Sequence, residues 1–321
     1  MKKVSILIPA YNEEKVIHLL YARLKSLIDS LPQYEFELMF VNDGSTDNTL
    51  SFLYGLRKDD RRVNIIDLSR NYGKEIAMLA GFDYVSGDCT IIIDADLQDP
   101  PELIPQMLQY WEEGYDDVYA KRRSREGESY FKKKTSEWFY KILQRTTKIK
   151  IQLDTGDFRL LDASCVEALR QIRESSRYTK GMFSWIGYRK KEIIFDRNPR
   201  AAGETKWSFF KLLSLAIEGI TSFTTAPLRI STIIGMLVSL ASFAYMIYIL
   251  INTIFNGNSV AGYTSTITIV LFLGGVQLLS LGVLGEYISR IFVETKRRPP
   301  YLVRSFNEER IITTKKTNAD R

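Results

Sequence analysis

The sequence predicts an α/β protein: a mostly parallel sheet with helices on both faces, then an interfacial amphipathic helix and a two-helix transmembrane hairpin. Three observations predict it. Apolar, β-branched runs alternate with helical patterns through the first third of the chain. Polar or acidic clusters directly follow three of those runs. Finally, 56 consecutive residues, Ile230 to Gly285, contain no Asp, Glu, Lys or Arg, although 26% of the chain is charged.

The strands are read at residues 4–8, 36–41, 63–68 and 90–93, with a fifth at about 117–120. Helical stretches lie at about 13–30, 47–58 and 73–85. The start, MKKVSILIPAYNEE, has too few apolar residues for a signal-peptide core and fits a first strand. An apolar fraction of 45% and an aromatic fraction of 12% exclude disorder for the bulk of the chain. Cys89 and Cys165 are isolated, without metal-ligand spacing, and read as reduced thiols of a cytosolic domain. His18 is the single histidine and falls on a helix face, so zinc or His-based acid–base chemistry is not expected.

The charge-free block divides into two spans, residues 230–255 and 264–287, each above the roughly 20 helical residues that cross a hydrocarbon core. A short uncharged turn joins them, so both ends lie on one side. Arg229 flanks one end, and Arg290, Lys296, Arg297 and Arg298 the other, which places that side in the cytoplasm. Gly274, Gly275, Gly282 and Gly285 suit close helix approach, within the hairpin or between copies in a homo-oligomer. Upstream, residues 206–218 mix apolar bulk with Lys206, Lys211 and Glu218, the pattern of a helix in the membrane interface, with Trp207, Phe209 and Phe210 as anchors. The expected organisation is a cytoplasmic catalytic domain at 1–205, an interfacial helix and linker at 206–228, the hairpin at 229–290 and a basic cytoplasmic tail at 291–321. The net charge of +6 sits mainly in that tail and beside the hairpin, which favours an anionic membrane and not a nucleic acid as partner.

Ligands of open parallel sheets bind beyond the carboxyl ends of the strands. Pro9-Ala10-Tyr11-Asn12-Glu13-Glu14 follows the first strand, Asn42-Asp43-Gly44-Ser45-Thr46-Asp47 the second, and Asp94-Ala95-Asp96-Leu97-Gln98-Asp99 the fourth. Asp47 precedes a helix and reads as its cap. Asp94 and Asp96 repel each other unless a positive charge intervenes. Oxygen ligands of this kind suit Mg2+ or Mn2+.

These three segments, in this order, resemble those of the inverting glycosyltransferases of GT-A fold. The closest resemblance is to the polyprenyl-phosphate (dolichyl- or undecaprenyl-phosphate) group, and within it to the bacterial bactoprenol glucosyltransferases, over nearly the whole chain. The resemblance implies that Pro9, Tyr11, Glu13, Asp43, Asp94 and Ala95 line a nucleotide-sugar pocket. It implies that Asp94 and Asp96 hold the diphosphate through the metal, with Gln98 as a further ligand. Arg122, after the fifth strand, matches a phosphate-contacting arginine. Thr155-Gly156-Asp157-Phe158-Arg159-Leu160 matches an acceptor-site segment, which makes Asp157 the candidate to orient or deprotonate the acceptor. Gly203-Glu204-Thr205-Lys206 resembles a Gly-Glu-Ser-Lys motif near the phosphates. Arg122, Arg125 and Lys206 are the candidate acceptor-phosphate contacts; Lys132–Lys134 align less clearly.

The implied reaction moves one sugar, glucose first, from a nucleotide donor, UDP-linked, to polyprenyl phosphate at the cytoplasmic membrane face. N-acetylglucosamine and GDP-mannose are the competing donors. A processive polysaccharide synthase is disfavoured, because no Gln-x-x-Arg-Trp segment is present and one hairpin makes no channel. A non-catalytic membrane scaffold is disfavoured by the intact Asp43, Asp94 and Asp96.

Overall fold

The computed structural model describes residues 1–123, 155–175, 177–195, 226–256 and 262–311. Arg125, Lys132–Lys134, Lys206 and the expected interfacial helix therefore lie outside the described residues. The chain divides into two compact units, one built on the sheet and one on a pair of long helices.

The sheet unit opens with β1 (Lys2–Ala10), α1 (Ile17–Asp29), β2 (Tyr34–Asn42), α2 (Thr49–Asp59), β3 (Val63–Leu68), α3 (Lys74–Tyr84) and β4 (Cys89–Ile92). After them come α4 (Ile104–Glu112), β5 (Asp117–Arg122), β6 (Thr155–Asp162), α5 (Ala163–Gln171), α6 (Thr179–Trp185) and β7 (Lys190–Phe195). Two further strands, β8 (Val303–Phe306) and β9 (Glu309–Arg310), follow the helical unit. The nine strands form one sheet in the order β7-β5-β6-β4-β1-β2-β3-β8-β9.

The parallel expectation holds for the centre, where β4, β1, β2 and β3 run together. It needs correction outside it. Strand β6 inserts antiparallel between β4 and β5, and β8 pairs antiparallel with β3, so the sheet is mixed. Neither pairing has a local signature, because each joins strands distant in sequence.

The strand faces follow the period of two. Val4, Ile6 and Ile8 of β1 face Ile17, Leu20 and Leu24 of α1, Leu53 of α2 and Met107 of α4 in one fully buried cluster. Leu7 faces the opposite way, toward α3, where Gly81 gives the room: a Cβ there would stand 2.1 Å from Leu7 Cδ1. Helices thus cover both faces. Cys89 and Cys165 are buried free thiols, as expected.

The residues read as a basic tail also need correction. Residues to Thr295 continue a helix, and Val303–Phe306 adds a strand to the sheet edge. Its Arg304 Nη1 lies 3.3 Å from Oδ2 of Asp67, a carboxylate only 1% exposed, and Asn307 Nδ2 donates to Asn64 Oδ1 at 3.0 Å. A buried carboxylate on β3 gives this charged segment a reason to pair.

The helical unit holds α7 (Ala226–Asn256) and α8 (Tyr263–Thr295), which pack against each other. They bracket both expected spans. Among the described residues, one segment, Phe272–Thr295, is long and apolar enough to cross a membrane, with mean hydropathy 1.4. The sequence reading expects two crossings; the length-and-composition criterion yields one. Exposed Met236, Leu237, Phe243, Leu278 and Leu281 nevertheless give both helices apolar outer surfaces.

Candidate active site

The carboxyl ends of the parallel strands converge on a cleft of about 260 Å³. Its first wall is the β1 loop. Asp43 N donates to Ala10 O at 2.9 Å, and Asn12 Oδ1 accepts from Thr46 N at 2.8 Å. The loops after β1 and β2 are thereby joined. Gly44 permits the second loop: its φ is +66°, and a Cβ would stand 2.4 Å from the backbone carbon of Arg70. Asp47, expected as the cap of the next helix, stands one residue before the cap position, which is Asn48, and accepts from Thr49 N at 3.0 Å.

The loop after β3 forms the second wall. Asp43, 2% exposed, takes both of its hydrogen bonds there, from Tyr72 N at 2.7 Å and Gly73 N at 2.8 Å. Burial raises its carboxyl pKa, against the lowering effect of those two amides. Asp43 lines the cleft, but its oxygens serve this loop.

The loop after β4 forms the floor. Asp96 Oδ1 accepts from Gln98 N at 3.1 Å, and Gln98 is nearly buried with Oε1 lacking a hydrogen-bond partner. Pro9, Tyr11, Glu13, Asp43, Asp94, Ala95 and Asp96 all line the cleft, while Gln98, Asp157 and Arg122 stand outside its lining.

Asp157 nevertheless reaches the same chemistry. Antiparallel pairing sets Ile92 opposite Arg159 and Ile91 opposite Leu160. Continued by two residues, that register sets Asp94 opposite Asp157. Like charges at opposed positions destabilise a sheet, so a cation is required between them. The structure supplies one from the chain. Lys74 Nζ lies 2.6 Å from Asp94 Oδ1, 2.8 Å from its Oδ2 and 2.5 Å from Asp157 Oδ2. Burial alone would raise the Asp157 pKa, but the charges of Lys74 and Lys180 pull it down to about 2. Burial would lower the Lys74 pKa, and Asp94 and then Asp157 reverse it to a strong upward shift.

Lys74 is the residue that strand-end reasoning misses. It begins α3, six residues past the end of β3, in Asn71-Tyr72-Gly73-Lys74, where a lysine opening a helix reads as solvent-facing. Glu75 beside it is turned away, accepting from the backbone and hydroxyl of Thr179. Burial, then the charge of Asp157, raises its pKa. Arg122 ends β5, and its Nη2 lies 3.8 Å from the position of a Cβ on Gly156, next to Asp157.

The donor set is consistent with a hard divalent cation. All its atoms are oxygens, and Asp157 Oδ1 and Gln98 Oε1 are buried without hydrogen-bond partners. Among the described residues, no three His, Cys, Asp or Glu side chains form a closed cage. A cation here would be held by few carboxylates and would complete its shell with water and phosphate oxygens, the habit of magnesium.

Residues 5–170 match the profile of glycosyl transferase family 2, and residues 226–291 match the GtrB C-terminal hairpin. An uncharacterized glycosyltransferase of Synechocystis is 50% identical over 301 residues, 94% of each chain. A bactoprenol glucosyl transferase of Shigella phage SfX is 45% identical over 303 residues, 94% of this chain and 99% of its own. A prophage bactoprenol glucosyl transferase homolog of Escherichia coli is 43% identical over 302 residues, 94% of this chain and 98% of its own.

Proposed function

Since the chain belongs to glycosyl transferase family 2 and is a glycosyltransferase, we propose that it transfers one glucose from UDP-glucose to polyprenyl phosphate at the cytoplasmic membrane face. Its near full-length similarity to bactoprenol glucosyl transferases supports both sugar and acceptor.

One observation carries the membrane part of the reading. Strands β7 and β8 belong to one sheet, and α7 and α8 lie between them in sequence. The number of crossings between those strands is therefore even. If Phe272–Thr295 crosses, a second segment crosses too. Helix α7 has 31 residues, about 46 Å of helix against a hydrocarbon core of about 30 Å. Lys296, Arg297 and Arg298, directly after α8, favour the cytoplasm for that end.

In the cleft, Pro9, Tyr11, Glu13 and Asp43 would surround the nucleotide. A magnesium or manganese ion held by Asp94, Asp96 and Gln98 would supply Lewis-acid neutralisation of the charge developing on the departing nucleoside diphosphate. With Lys74 beside it, the Asp157 carboxyl is held low and stays ionised at neutral pH. An acceptor phosphate monoester, with a second pKa of about 6, is already largely dianionic. Asp157 therefore orients, and Arg122 beside Gly156 neutralises the incoming phosphate. Arg125 and Lys206 are proposed for the same phosphate.

The test is transfer of radiolabelled sugar to undecaprenyl phosphate in detergent, with UDP-glucose, UDP-N-acetylglucosamine and GDP-mannose compared. Asp96→Ala is expected to keep its fold and lose about a thousandfold in metal-dependent transfer. Wild-type rates from that variant would remove the metal role, and no transfer from UDP-glucose by the wild type would remove the donor assignment.

A further inference from the structure

The ammonium of Lys74 lies against Asp94, a carboxylate that a metal held by Asp94, Asp96 and Gln98 would need, and bridges it to Asp157. It contacts both oxygens of Asp94 and one of Asp157, within 2.8 Å. These carboxylates come from different strands, and neither has another basic partner among the ion pairs of the described residues. Asp157 Oδ1 remains buried and without a hydrogen-bond partner on the same side chain. The arrangement is a carboxylate pair already holding one positive charge, with oxygen valence left over.

Lys74 is also a wall of the cleft itself, with its side chain 39% exposed. It begins α3 directly after Gly73, so its stem is anchored at one end while its head lies at the carboxylates. An ammonium on a four-carbon stem is a mobile point charge. A divalent cation and an ammonium cannot both hold Asp94, because the two cations repel and its oxygens cannot serve both at contact distance.

We propose that Lys74 is an exchangeable internal counterion. In the free protein its ammonium holds Asp94 and Asp157 together. When the donor arrives with a divalent cation, the cation takes Asp94, beside Asp96 and Gln98, and the ammonium moves to the donor's diphosphate. The inference rests on the metal-dependent reading of the cleft. Its consequence is thermodynamic. The cation alone binds weakly, since it must displace Lys74 with no new partner for the ammonium. The nucleoside diphosphate supplies that partner, so cation and nucleotide favour each other, and by linkage they do so reciprocally.

The experiment is a titration of the full-length protein in detergent with Mn2+ alone, free ion being followed by electron paramagnetic resonance, then repeated with saturating UDP. Wild type is expected to bind Mn2+ weakly alone and more tightly with UDP. Lys74→Met is expected to bind Mn2+ alone on the order of tenfold tighter, with the UDP enhancement reduced; Lys74→Arg, which keeps a cation, stays near wild type. Equal or weaker Mn2+ binding by Lys74→Met overturns the inference while leaving the metal reading intact. No Mn2+ uptake by wild type with or without UDP overturns the metal reading and the inference with it. Should Lys74→Met fail to fold, amine-reactive labelling of wild type, read by mass spectrometry at Lys74, decides. Mg2+ with UDP is expected to change Lys74 labelling at least twofold, and labelling unchanged by Mg2+ and UDP overturns the exchange.

Discussion

The two halves of the sheet reach one cleft by opposite routes. In the parallel half, β1, β2 and β4 run toward the cleft and end there, and polar residues of the cleft follow them: Tyr11 and Glu13, Asp43, Asp94. In the mixed half, β6 runs the other way, so its beginning and not its end brings Asp157 to Lys74 of the cleft wall. The first half is held by hydrogen bonds between loops, two of them from backbone amides to the Asp43 carboxylate. The second depends on buried charge. A strand-end rule therefore finds the first half of such a site and overlooks what an inserted antiparallel strand contributes.

The sharpest way to test that division is to remove the buried charge. Arg159 and Asp117 form an ion pair at 3.1 Å with both side chains fully buried, and the Arg159 guanidinium lies 3.8 Å over the Phe183 ring. Lys190 is the other cation near Asp117, at 3.6 Å. Arg159 is two residues from Asp157 on the same face of β6. Arg159→Met leaves Asp117 short of its main partner, and breaking a buried pair costs about 3–5 kcal/mol. Urea unfolding of the sheet unit's signal is expected to shift by that amount. A shift under about 1 kcal/mol would mean that Lys190 suffices for Asp117, and that the mixed half is less dependent on charge than its burial implies.

A smaller loss is expected from the equivalent change in the parallel half. Asp43→Ala removes the acceptor for two backbone amides, Tyr72 N and Gly73 N. Unsatisfied buried donors cost about 1–3 kcal/mol, less here because the ionised carboxylate itself is penalised by burial. The loop it holds carries Lys74, so UDP affinity in calorimetry is expected to fall further than stability does. Loss of stability with unchanged UDP binding would detach this loop from the donor site.

What the sequence disclosed follows the same division. Asp94 and Asp96 were legible because two acids directly after a buried apolar run have no structural excuse. The central strands were legible from their β-branched composition. Lys74 was not, because a lysine at the start of a helix reads as solvated, and its partners are 20 and 83 residues away. The insertion of β6 was not legible either, since it follows from pairing between distant strands. Val303–Phe306 reads as tail because it is four residues long and carries Arg304; its place in the sheet follows from partners distant in sequence, among them the buried Asp67 on β3. That strand matters beyond the edge it covers, for it returns the chain to the sheet after α8.

The least effect at neutral pH, and the finest separation of the two halves, lies in acid. The Asp157 carboxyl is held at about 2 in the folded protein, below its ordinary value of 3.8, so its contribution to stability is complete above about pH 4 and is lost as pH falls toward 2. Asp43 has the opposite sign. Its folded pKa is raised, so the native state takes up this proton before the unfolded state does, and stability gains as pH falls through that value. Asp157→Asn is therefore expected to flatten the acid limb of a stability–pH curve, and Asp43→Asn to steepen it, each measured by denaturant unfolding between pH 5 and about 2. Identical acid limbs for the two variants would show that the halves share one electrostatic design, and that the lysine between Asp94 and Asp157 does not set the mixed half apart.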